Sequence, residues 1–161
     1  MTVSVAVTLS VKTTETLTSN VPAASARGNA ITHDGFDTTL ALNASSTPPA
    51  TVCAYFTKAL SSGTATIDLT ALTGTQGTVD GTGLKVQSLI FKNAAANQVT
   101  ISKGATNGYS IFGASGSVVV PAGSTLAMTF ADTLADISST VKTLDLAGTG
   151  SQSFSVGIVM G

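Results

Sequence analysis

Tryptophan is absent from this chain, and histidine and cysteine occur once each. Only 9% of its 161 residues are charged, where soluble domains average about 25%. Each shortage excludes something. One cysteine forms no disulfide within the chain and builds no cysteine-based zinc site. Seven basic residues against eight acidic ones leave a net charge of -1, so a basic patch gripping nucleic acid through its phosphates is not expected. Catalysis draws on titratable side chains, and so thin a stock of them speaks against an enzyme. Mean hydropathy is positive, yet no apolar run approaches the ~18 residues that read as a membrane-spanning helix. Met1 to Val11 (MTVSVAVTLSV) lacks the basic start and solid apolar stretch of a secretory signal, so none is expected.

Four small residue types fill the space: 27 Thr, 22 Ala, 19 Ser and 16 Gly, about half of the chain. Disorder fits badly, because 43% of the residues are hydrophobic and the net charge is close to zero. Threonine is β-branched and suits a pleated, half-buried surface while keeping a hydroxyl for water, so its excess favours strands. With 5% aromatics the core must come from Val, Leu, Ile, Ala and six Phe. Small side chains bury little area each, at ~25 cal/mol per Å2, and assembly is one way to bury more.

Along the chain, alternation of apolar and polar residues dominates. Val3, Val5, Val7, Leu9 and Val11 mark one face of a first strand, and residues 1–21 read as an N-terminal arm or edge strand. Asn20 to Phe36 reads as a long irregular connection and Asp37 to Asn43 as a short strand. Pro48 and Pro49 break the ladder in Ser45 to Pro49. Thr51 to Leu60 admits a helix, but a strand with Val52, Ala54 and Phe56 on one face and Cys53, Tyr55 and Thr57 on the other is favoured. Further strands are expected around Ala65 to Leu69, Leu84 to Lys92 (Lys85 and Gln87 facing water), Val99 to Ile101, Tyr109 to Phe112, Ser117 to Val120, Thr125 to Phe130, Leu144 to Leu146 and Phe154 to Ile158. Gly74 to Gly83 reads as a loop tip, Asn93 to Asn97 as a turn, and Asp132 to Lys142 as the one segment with a helical turn. Ten or eleven short strands with Gly, Pro and Asn turns predict an all-β chain forming a single β-sandwich domain over 1–161, jelly-roll-like in topology.

Candidate chemistry is sparse. His33, Asp34 and Asp37 stand within five residues and carry ligand types for a divalent metal or a His–Asp pair, but an irregular surface loop explains them without an ion. Val79 to Gly83 (VDGTG) begins like a calcium loop and lacks its continuation, so Asp80-Gly81 reads as a turn. Gly113 to Gly116 and Gly148 to Gly150 lack the Lys-Ser/Thr sequel of a phosphate loop. Cys53 lies in an apolar run and reads as a buried thiol, its only imidazole partner for nucleophilic work being His33. Tyr55 and Tyr109, if exposed, offer faces for stacking on sugars. No catalytic, metal or cofactor residue is assigned.

From Ala65 to Gly161 the chain runs through TIDLTALTG, VDGTGLKVQSLIFKN, ISKGATNGY, VVVPAGSTLAM and KTLDLAGTGSQSFSVGIVMG. In that order it resembles small β-rich proteins encoded by tailed bacteriophages and prophages that serve as virion structural components. The resemblance implies a non-enzymatic subunit of a particle (head, decoration, capsid-associated or tail), located in the virion. Its partners would be copies of itself, as a homo-oligomer, and other virion proteins, with no membrane and no cofactor. The alternative is a carbohydrate- or receptor-binding β-sandwich module of a tail or adhesin, which predicts exposed aromatics on one face.

Overall fold

The computed structural model describes residues 4–9, 13–17, 29–33, 38–130 and 133–161. Among these it contains fourteen β-strands, and no helix is long and apolar enough to cross a membrane. The chain divides into two compact units, Ser4–Leu42 and one that holds Asn43–Gly161.

The first unit is built from β1 (Ser4–Leu9), β2 (Thr13–Leu17), β3 (Asn29–His33) and β4 (Thr38–Asn43). β1 pairs with β4, and β2 pairs with β3 antiparallel from Thr13 opposite His33 to Leu17 opposite Asn29. This nested order is that of a chain running out and back. Residues 1–21 thus contribute two paired strands, and Asn29–His33 is a strand inside the segment that reads as an irregular connection. Neither TTETL nor NAITH alternates in hydrophobicity. Their pairing uses backbone groups that every residue carries.

The second unit is a β-sandwich. Its ladder strands are β5 (Val52–Ala59), β6 (Thr64–Asp68), β9 (Val86–Lys92), β10 (Val99–Lys103), β11 (Ser117–Val120), β12 (Thr125–Thr129), β13 (Thr143–Ala147) and β14 (Ser153–Met160). A short hairpin, β7 (Leu72–Gly74) with β8 (Gly77–Val79), is inserted after β6. One antiparallel sheet has the order β12-β9-β14-β5 and the other β11-β10-β13-β6. Counting the eight ladder strands along the chain, the first pairs with the last, the second with the seventh, the third with the sixth and the fourth with the fifth. Consecutive strands therefore alternate between sheets at several corners, as β5 to β6 and β11 to β12 do.

Alternation directs the core. Leu89, Phe91, Phe154, Val156 and Ile158 of one sheet meet Ile67, Val99, Ile101, Leu144 and Leu146 of the other, all nearly or wholly inaccessible to water. Phe91 and Phe154 stack in a tilted pair, with ring centroids 5.2 Å apart. Thr51 to Leu60 is the strand that its alternation favours, with Ala54 buried and Tyr55 exposed.

Corners are closed by specific polar contacts. Gly63, at φ +86°, donates its amide to Gly150 O and accepts from Gly148 N, joining the β5–β6 corner to the β13–β14 corner. A Cβ there would lie 2.9 Å from Gly148 O, so glycine is required twice over. Asn93, wholly buried, directs Nδ2 at the carbonyls of Asn97, Val120 and Pro121 and accepts the Ala95 amide on Oδ1.

Four expectations are corrected. Gln87 does not face water: the β9–β14 register slips between Val159 and Met160, so Ser88 faces Val159 while Val86 faces Met160. Gln87 falls in the resulting bulge, buried, with Nε2 donating to Pro48 O and Pro49 O. Tyr109 to Phe112 is not a strand but turn and irregular backbone, and Tyr109 is buried. Described residues 133–142 hold turns and an isolated bridge instead of a helical turn. Ile137 is buried there, its amide donating to Leu84 O and its carbonyl accepting from Gly83 N. Finally, Gly74 to Gly83 contains β8, so the expected loop tip is half hairpin.

Candidate functional site

Of the residues singled out in the sequence, Cys53 and Tyr55 come together, lining one cavity. His33 closes β3, while Asp34 and Asp37 lie outside the described residues. Among the described residues no group of three or more His, Cys, Asp or Glu is placed to hold a metal ion. Asp80 spends its carboxylate locally, Oδ1 accepting from the Thr82 amide at 2.9 Å and the Thr82 hydroxyl at 2.6 Å. Those two bonds hold its carboxyl below the ordinary value. The segment is the turn that Asp-Gly suggests, though it joins β8 to β9 rather than making a hairpin. Gly113 (φ +90°) and Gly150 (φ +62°) serve turns.

Tyr109 is unavailable to a ligand. Its hydroxyl accepts from the Val86 amide at 3.2 Å and donates to Ala135 O at 2.9 Å, and burial pushes the phenol above its ordinary pKa.

Among the described residues, the tightest ion pair is a structural one. Asp68 accepts from the Thr70 amide and hydroxyl on Oδ1 and from Lys142 Nζ on Oδ2 at 2.7 Å. Burial pushes this carboxyl up, but the Lys142 ammonium and the Thr70 donors outweigh it, and the group titrates below its usual value. A depressed folded-state pKa contributes stability that is complete above the unfolded value of about 3.9 and fades as pH falls through the folded one. Both side chains are partly exposed, so the contribution is held to ~0.5–1 kcal/mol. Asp68→Asn should lower the melting temperature slightly at pH 7, and the gap from the parent should close on acidification to about pH 2. A gap of constant size in melts at both pH values would assign the loss to the Thr70 turn instead.

Two outward faces remain. On the sheet β11-β10-β13-β6 the registers align Thr66, Asp145, Ser102 and Ser117 in one row across four strands, and Thr64, Ala147, Thr100 and Val119 in the next. Asp145 is engaged there, taking the Thr66 hydroxyl on Oδ1 and the Ala105 amide on Oδ2. On the other sheet, Tyr55, Gly157, Ile90 and Ala127 form an apolar row. Thr57, Ser155, Lys92 and Thr125 run beside it. Gly157 keeps this row low beside Tyr55, since a Cβ there would stand 3.5 Å from Tyr55 Cδ2 and 3.6 Å from Ile90 Cβ.

Tyr55, 67% exposed, also borders a cavity of about 450 Å3. β5 is the last strand of its sheet, and the β7–β8 hairpin packs against it. The cavity lies between them, walled by Thr51 to Cys53 and Tyr55 on one side and by Gly74 to Val79 on the other. Thr75 and Gln76 form the two-residue tip of the hairpin, because Gly74 pairs with Gly77. Gly74 is needed for that closeness: a Cβ on it would fall 2.6 Å from Val79 Cγ2. Cys53 lines the cavity as a half-buried free thiol rather than a fully buried one. Alternation sets Tyr55 on the face opposite Ala54 without naming which face is outward, whereas Gln76 and Thr78 carry no signal, because three-residue strands are too short to show a period.

The chain matches no family model, no curated protein and no solved structure.

Proposed function

We propose that this chain is a non-enzymatic structural subunit of a tailed-bacteriophage particle that self-assembles or decorates the head, and that its sandwich is a jelly roll. The supporting observation is the strand order. Taking the eight ladder strands as first to eighth, the sheets read sixth-third-eighth-first and fifth-fourth-seventh-second. That is the order obtained by folding a long hairpin double and wrapping it, the arrangement of two Greek keys used by many capsid subunits.

The surface chemistry points the same way. The rows on the β11-β10-β13-β6 face are mostly Thr, Ser and Ala, the other face sets a row of Thr, Ser and Lys beside its apolar one, and Lys92 and Asp145 are the charges in these rows. Short hydroxyl side chains lose less conformational entropy and less hydration than long charged ones when a neighbour covers them. Such faces are suited to contact between subunits. The near-neutral net charge of -1 gives the subunit no electrostatic hold on packaged nucleic acid.

Mass in solution and electron micrographs of the purified chain test this reading. Rings, shells or a defined oligomer are expected. A strict monomer at high concentration that also fails to associate with any phage particle would overturn it.

A further inference from the structure

We infer that the cavity between β5 and the β7–β8 hairpin is a binding site for a neutral saccharide, with Tyr55 as its stacking platform. The inference is independent of assembly, since a virion subunit and a free domain would carry the same cavity.

Four observations lead to this ligand class. First, about 450 Å3 lies within the ~300–1,000 Å3 usual for small-molecule clefts. Second, the lining contains no charged side chain, so nothing there would neutralise a phosphate, a carboxylate or an ammonium group. Third, Tyr55 leaves most of its surface to solvent, and Gly157 beside it adds no side chain to block the approach. An exposed aromatic face of this kind is matched by the axial C–H groups of a pyranose, apolar on one side and ringed by hydroxyls. Fourth, the remaining polar groups are hydroxyls and an amide, those of Thr51, Thr75, Gln76 and Thr78. Each of these both donates and accepts, as sugar hydroxyls do.

Other occupants match less well. A purely apolar ligand would strip water from those groups without replacing their hydrogen bonds. Tyr55 and Gln76 therefore do the recognising, the first by contact area and the second by direction. The site is open and small, so dissociation constants on the order of 1 mM are expected, worth about 4 kcal/mol.

Full-length protein is titrated with glucose, galactose, mannose, N-acetylglucosamine and their β-linked disaccharides. The readouts are tyrosine ring resonances and the rate at which a maleimide alkylates Cys53. At least one sugar should shift the Tyr55 signals saturably and slow alkylation. Tyr55→Ala should weaken that sugar more than tenfold, and Gln76→Ala several-fold, while Tyr55→Phe stays within about twofold because the ring face is kept. Both positions lie at the surface, and an unchanged circular dichroism spectrum verifies folding. Absence of a saturable response to every sugar overturns the inference, and so does a response that survives Tyr55→Ala. Tighter binding of glucose 6-phosphate than of glucose would overturn it as well, by revealing an anion site.

Discussion

Asn93→Ala should cost about 2–4 kcal/mol, far more than an exposed turn asparagine would. The side chain is wholly buried at the end of β9, and its two Nδ2 hydrogens are shared among the carbonyls of Asn97, Val120 and Pro121. Oδ1 in turn accepts the Ala95 amide at 3.0 Å. Alanine removes every one of these partners at once, and the groups left behind each cost about 1–3 kcal/mol where water cannot reach them. The effect is concentrated at a corner. Val120 ends β11, Pro121 leads into β12, and the Asn93 amide itself donates to Ser124 O, so one residue ties both sheets at their crossing. Chemical denaturation should show a lower midpoint with an unchanged slope, the sign of lost stability in an otherwise intact fold. Asn93→Asp is a demanding companion. It keeps an acceptor for Ala95 but turns a carboxylate towards three carbonyls, and it should be no better than alanine. A loss under 1 kcal/mol for both variants would mean that the carbonyls find other partners.

Phe154→Ala should be the most damaging single truncation of the core, at about 3–5 kcal/mol. Phe154 sits in β14, flanked in its sheet by β5 and β9, and its ring meets that of Phe91 at 5.2 Å. Both rings are inaccessible to water. Few alternatives exist nearby to refill the space, because only 5% of the chain is aromatic and much of the core is Val, Leu and Ile. Stability of an ordinary domain is about 5–15 kcal/mol, so the loss is a large share of the total. A fall of roughly 10–25 °C in melting temperature is expected for a unit of this size. Phe154→Leu retains most of the volume and should recover more than half of the loss. If the two variants melt together, ring stacking rather than volume sets the value of the site.

How far the fold could be read beforehand depended on where the deciding partner lies. In Val52–Ala59, Thr125–Thr129 and Ser153–Met160 alternation is a local property, and each strand and its inward face follow from the residues themselves. The same logic misplaces Gln87. A bulge adds one residue to β9, so Gln87 falls outside the alternation and its amide turns to Pro48 and Pro49, far away in sequence. Tyr109 reads as exposed among glycines and polar residues because Val86, whose amide donates to its hydroxyl, and Ala135, whose carbonyl accepts from it, belong to other parts of the chain. Residues 133–142 are held through Leu84 and Gly83, again distant, and the helical pattern there never competes. Of the candidate cavity, Tyr55 could be placed on the correct face, but the hairpin opposite it could not. Gly74 and Gly77 looked only like breaks, and their meaning as a paired turn appears with Leu72 opposite Val79.

The pairing of the first ladder strand with the last also governs when the sandwich can form. β14 lies between β9 and β5, with Ser153 opposite Ala59 and Met160 opposite Val52. Until β14 emerges from the ribosome, β5 has no ladder strand to pair with, and β9 can pair only with β12. Contacts so distant along the chain fold slowly, on the millisecond-to-second scale of all-β domains. Nascent chains therefore pass through an interval in which two apolar strand edges are open to one another's copies. Ala54, Phe56, Leu89 and Phe91 on those strands are then the groups a chaperone would meet, and crowded synthesis is when this protein is most exposed to misassembly.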